Sequence, residues 1–133
     1  MSLALIGAEV TGVDISDGAI SSAHALSEKT GLPASFERAV LYDWTKDAAR
    51  TGRRFDAAFS SYGAVCRHSD LEAWAGGVAA VLAPGGRFVL VDFHPAAEMF
   101  EAQWNLSEDY PSDGVPWLVE EGVGDYVAEA GAA

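Results

Sequence analysis

Short β-branched clusters alternate along this chain with longer stretches of helical periodicity. Residues 9–14 (Glu-Val-Thr-Gly-Val-Asp), bounded by Gly7 and Ser16, read as a buried strand. Ser16 is placed to cap a helix over 17–30, with Ala19, Ala23 and Leu26 facing inward and Gly31 and Pro33 ending it. Residues 35–41 form a second expected strand, a short helical turn follows near 45–50, and 55–60 form a third strand. Ser69 and Glu72 have the spacing of a capping box for a helix carrying Leu71, Trp74, Ala75, Val78 and Leu82 as its apolar stripe. Pro84-Gly85-Gly86 interrupts that stripe, and 87–93 is a fourth strand, apolar on both faces. Pro95 is suited to the first position of one more helix, reaching about Trp104.

Strands alternating with helices predict an α/β fold: a parallel sheet of four strands, covered by helices on both faces through right-handed crossovers. Ligands of such sheets lie beyond the carboxyl ends of the strands. That rule directs attention to Asp14–Ile15, 40–43, 60–62 and 92–94.

Composition narrows the class. The 133 residues, half of them apolar, suit one globular core. A single cysteine, Cys66, excludes an internal disulfide. The longest apolar run, 78–83, is far short of the roughly 18 residues of a membrane span, and no signal-peptide pattern opens the chain. A cytoplasmic protein is expected. Eight basic against 20 acidic side chains give a net charge of −12, which disfavours nucleic acid and membrane surfaces as partners. All the basic residues precede position 88, so 96–133 is expected to be an acidic helix and loop segment, either a solvated surface or a flap over a cationic ligand.

Other chemistry is thinly represented. His24, His68 and His94 lack metal-ligand spacing, so no metal site is expected. His94 follows the fourth strand and is a candidate for base or substrate contact; His24 reads as a helix surface residue. Ser60-Ser61-Tyr62-Gly63 lacks a hydrolase nucleophile elbow. Cys66 reads as a small buried residue, Trp74 as core, and Trp44, Trp104 and Trp117 as loop or tail residues.

One ordered set of segments carries more. Val10-Thr-Gly-Val-Asp14-Ile-Ser16, then Arg38-Ala-Val-Leu-Tyr-Asp43, then Phe55-Asp-Ala-Ala-Phe-Ser60, then Leu82-Ala-Pro-Gly-Gly-Arg-Phe-Val-Leu-Val-Asp92 resembles the class I S-adenosylmethionine (SAM)-dependent methyltransferases. The likeness covers about 3–95, and the Leu-x-Pro-Gly-Gly-Arg-Phe turn is its most specific part. It implies a Rossmann-like core over 1–95 followed by an insertion segment over 96–133, where Glu120–Val127 is similar to one bacterial small-molecule branch.

The resemblance also implies a site. Asp14 matches the carboxylate that accepts both ribose hydroxyls of SAM, against the alternative that it only caps a turn. Ile15 would pack on the adenine. Val40 stands where the family commonly has an aspartate for the adenine amino group, leaving the backbone near Leu41 to replace it. Ser60, Ser61 and Tyr62 match the region lining methyl transfer; Ser60 and Ser61 are expected among the cofactor-binding residues, and Tyr62 and His94 are the candidates for catalysis. The family's first strand and glycine-rich loop have no counterpart in this sequence, nor do its sixth and seventh strands. Gly122-Val-Gly124 does not substitute for the loop.

The implied function is SAM-dependent methylation of a small molecule, by a truncated form of weak or no activity. A non-catalytic remnant acting as an interaction module is the alternative. A nicotinamide-dependent oxidoreductase is a more distant one, lacking its Gly-x-Gly-x-x-Gly. Removing a central strand leaves two strand edges open, so self-association is expected.

Overall fold

The computed structural model describes residues 1–61, 63–92, 94–100, 104–106 and 110. In chain order the first unit, Met1–Asp92, contains α1 (Ser2–Leu5), β1 (Val10–Asp14), α2 (Asp17–Thr30), β2 (Ala34–Arg38), α3 (Leu41–Arg50), β3 (Phe55–Ser61), a 3-10 turn at Val65–Arg67, α4 (Leu71–Val81) and β4 (Leu82–Val91). The α/β alternation and the parallel pairing follow the sequence expectation, in keeping with a partial Rossmann-like fold.

The sheet itself differs. The expected four-stranded sheet is two separate parallel pairs, β1 with β2 and β3 with β4. Asp14 lies opposite Arg38 in the first pair, and Ser61 opposite Val91 in the second. Neither β1 nor β3 has a second neighbour among the described residues. Each therefore presents one edge of backbone donors and acceptors outside the ladder.

Two consecutive residues of β2 show how the helices are distributed. Phe36 meets the His24 ring of α2 edge-on at 5.5 Å, whereas Glu37 accepts the Trp44 indole N–H of α3 at 2.7 Å. Adjacent strand residues point to opposite faces, so α2 and α3 lie on opposite sides of the first pair. Helix α4 packs on α3 and covers β4 through Trp74, whose ring meets Phe88 at 5.5 Å.

Local signals held in several places. Ser16 caps α2 by accepting the Ala19 N–H at 3.3 Å, and Gly31 ends it at φ 66° in the left-handed region. The inward face of α2 is shifted: Ile20, Ala23 and Ser27 are half-buried, while Ala19 and Leu26 are exposed. Ser27 sits inside because its hydroxyl donates to the Leu32 carbonyl at 2.7 Å, closing the turn toward β2.

The second strand ends at Arg38 rather than residue 41, and α3 is a full helix with Val40 as its N-cap. Trp44, expected in a loop, is therefore a helical residue. Helix α4 is capped by Asp70, whose carboxylate accepts the Ala73 N–H at 2.8 Å, and not by the Ser69–Glu72 box. Its covered stripe is Trp74, Gly77, Val78 and Val81, while Leu71 and Ala75 are exposed and Leu82 already belongs to β4. Gly77 allows the close approach of α4 to α3, since a Cβ there would lie 2.5 Å from the buried Thr45 Oγ1.

Strand β4 begins at Leu82, earlier than expected, because the Pro84-Gly85-Gly86 break lies inside the ladder. Leu82 pairs with Phe55 and Arg87 with Ala57, and the residues between them bulge out of register. Gly86 fits there because a Cβ would meet the Ala83 carbonyl oxygen at 2.9 Å and that of Phe55 at 3.1 Å.

The second unit comprises 93–133. It has a 3-10 turn at Pro95–Met99 instead of the expected longer helix, and an antiparallel bridge between Phe100 and Leu106. Trp104 turns the chain there at φ 63° and meets Phe100 at 5.9 Å. Trp117 and the remaining acidic segment lie outside the described residues, as does the Cys66 side chain.

Candidate functional site

Asp14 closes β1, and its carboxylate Oδ1 accepts the Ser16 N–H at 2.8 Å. The turn-capping role is thus real, and it orients the group: one oxygen is held against the start of α2 while the exposed carboxylate retains further acceptor capacity. The Asp14 carbonyl accepts the Ala39 N–H at 3.0 Å, which brings the chain leaving β2 alongside the end of β1.

Two residues later Leu41 opens α3. The N–H groups of a first helical turn have no intrahelical acceptor, so the Leu41 backbone is a donor at a helix N-terminus. Val40 is exposed and supplies no polar group. Ile15, next to Asp14, is 64% exposed. The structure therefore gathers Asp14, Ile15, Val40 and Leu41 at the carboxyl end of the first strand pair. Arg38 borders them: its Nε donates to the Ile15 carbonyl at 3.2 Å and pairs with Asp17 at 2.7 Å.

Ser60 and Ser61 are half-buried at the carboxyl end of the other pair, opposite Leu90 and Val91. No ladder joins them to the Asp14 group among the described residues. Tyr62 lies outside the described residues. His94 belongs to the second unit, where its Nδ1 accepts the Ala96 N–H at 3.1 Å and caps the 3-10 turn. His68 is packed between aromatic rings, stacked on Trp74 at 5.3 Å and edge-on to Tyr42 at 5.7 Å. Among the described residues no three His, Cys, Asp or Glu side chains gather as a metal set, and no helix is long and apolar enough to cross a membrane.

Two acidic residues organise this unit: Glu37, to which the sequence assigns no role, and Asp92, which it marks only as a strand end. Glu37 accepts from Trp44 and from the Arg53 guanidinium at 2.9 Å, and Arg53 lies over the Trp44 ring at 5.0 Å and the Phe55 ring at 5.7 Å. The Trp44 hydrogen bond is the main reason its carboxyl lies below its ordinary value; burial opposes this, and Arg53 adds to it. Asp92 is the second, ending β4 with its carboxylate turned onto the loop that follows β3. An acid directly after the apolar run 88–91 was the available signal.

The residues present suit the nucleoside half of SAM. A fixed carboxylate takes vicinal hydroxyls, a helix N–H takes a ring nitrogen, and Ile15 offers an exposed apolar surface. A family model described as a methyltransferase domain matches residues 1–86. Comparison with curated proteins and with solved structures returns no match.

Proposed function

Because the chain belongs to the methyltransferase domain family, we propose that its core binds SAM and serves methyl transfer to a small-molecule acceptor. The observation that carries this reading is the Asp14 carboxylate, held by the Ser16 N–H beyond the end of β1 and adjoining the chain that leads to the Leu41 N–H. Asp14 would take the ribose hydroxyls, Ile15 would cover the adenine, and the Leu41 backbone would stand in for the adenine contact that Val40 cannot make. Ser60 and Ser61 would line the transfer site, and Tyr62 and His94 are the candidates for catalysis. When bound, SAM supplies an electrophilic sulfonium methyl, and the protein contributes positioning and exclusion of water. The acceptor is a small molecule rather than nucleic acid, in accord with the −12 net charge, and the expected compartment is the cytoplasm.

No glycine-rich loop among these 133 residues anchors the methionine end. We therefore expect this chain by itself to transfer methyl groups weakly or not at all, since orientation alone can account for about 7–11 kcal/mol of a barrier. The test is calorimetric titration of SAM into the purified chain, followed by radiolabelled methyl transfer to an acceptor panel. Saturable binding with little turnover is expected; absence of binding would overturn the reading.

A non-catalytic interaction module is the second reading, favoured by the open edges of β1 and β3. A second copy of the chain would satisfy those edges.

A further inference from the structure

Asp92 stands one residue past the Ser61–Val91 pair, where β3 and β4 both end. Its two oxygens divide between two backbone donors: Oδ1 accepts the Gly63 N–H at 2.7 Å, and Oδ2 accepts the Val65 N–H at 3.2 Å. Both donors belong to the chain that leaves β3. Val65 is the first residue of its 3-10 turn, so its N–H has no acceptor within that turn. Gly63 is buried and has φ 79°, a conformation that favours glycine and allows the chain to reverse toward Asp92.

We propose that Asp92 is a positioning residue for the methyl-transfer site: through the Gly63 and Val65 N–H groups it fixes the backbone that continues from Ser60 and Ser61. This rests on the methyltransferase reading above. The physical case is that one carboxylate satisfies two backbone donors of the chain that leaves β3, at the point where the β3–β4 ladder ends. Charge-assisted bonds of this kind are short and directional. A loop so held presents its residues in one arrangement, and displacements of about 1 Å can cost two orders of magnitude in reactivity. Asparagine would keep one acceptor oxygen and turn an amide N–H₂ toward the other donor, so it preserves one of the two bonds. Alanine removes both.

The experiment combines amide hydrogen exchange with SAM calorimetry on wild type, Asp92→Asn and Asp92→Ala. In Asp92→Ala the Gly63 and Val65 amides lose protection, while amides of the β3–β4 ladder such as Ala58 keep theirs, and SAM binds about tenfold more weakly. Asp92→Asn retains protection at one of the two amides and recovers part of the affinity. A role in stability alone would lower protection throughout the ladder without that graded recovery. Unchanged exchange at both amides overturns the proposal, as does lost protection with unchanged affinity. If Asp92→Ala fails to fold, Asp92→Asn decides by the same two readouts. Failure of the wild type itself to bind SAM overturns the methyltransferase reading and the positioning role with it. Selective exchange at the two amides would then mark Asp92 as a structural clamp.

Discussion

Glu37 of β2 and Arg53, two residues before Phe55 at the start of β3, form an ion pair at 2.9 Å that ties one strand pair to the entry of the other. Trp44 completes the tie, donating to Glu37 while lying beneath the Arg53 guanidinium. The two pairs share no ladder among the described residues, so this cluster and the α3–α4 contact link them.

That link has a pH dependence. The Glu37 carboxyl is held below its ordinary 4.5, first by the Trp44 hydrogen bond and then by Arg53, with burial opposing. A depressed carboxyl contributes stability that is complete above the unfolded-state value and lost as pH falls through the folded-state value. Glu37→Gln should therefore melt below wild type at neutral pH, and the gap should close as pH falls below 4.5 and through the lowered folded-state value. A gap independent of pH would assign the loss to packing instead. The partners are partly exposed, so the effect should also shrink in high salt.

Gly77→Ala sets helix propensity against packing. Alanine favours the helix by up to about 1 kcal/mol, but its Cβ would lie 2.5 Å from Thr45 Oγ1 and 3.1 Å from Thr45 Cβ. Overpacking should win, with a net loss of about 1–3 kcal/mol in denaturant melts, partly relieved by adding Thr45→Ala. A Gly77→Ala variant more stable than wild type would show that α3 and α4 separate at little cost.

For the cofactor site, Asp14→Asn removes the charge while keeping a carbonyl oxygen able to accept from Ser16. SAM affinity should fall by about 1–3 kcal/mol, the range of a charge-assisted hydrogen bond. Equal affinities by calorimetry would reduce Asp14 to a turn cap.

The open edges bear on assembly. β1 and β3 carry no lysine or proline to discourage pairing. Sedimentation of the purified chain should show concentration-dependent association, weakened by Ala57→Lys on β3. A monomer at every concentration would count against pairing between copies.

How far the sequence could be read depended on the range of the interaction. Ser16, Gly31 and the β1 and β3 segments rest on local chemistry, and they stand as read. Ser69 and Asp70 are adjacent residues of equal capping ability, and only the chain path selects Asp70. The β2–α3 boundary was obscured by Val40-Leu41-Tyr42, an apolar run that suits a strand or a helix start. Ser27 occupies the inner face of α2 in preference to Leu26 because of a hydrogen bond to Leu32, which a hydrophobic stripe cannot reveal. For the candidate site, the places of Asp14 and Asp92 at strand ends were legible, whereas the bonds that Asp92 accepts depend on a loop reaching it from another strand. The separation into two pairs is a question of long-range pairing, and periodicity is silent there.

The division into strand pairs also sets an order of assembly. Each pair closes through its own crossover, Val10 to Ala34 around α2 and Phe55 to Leu82 around α4, and neither loop contains the other. Loop-closure entropy is therefore met twice over short chain lengths by these two pairings. Each βαβ half can collapse without waiting for its neighbour, and the contacts of α3 and the Glu37–Arg53 pair then join them.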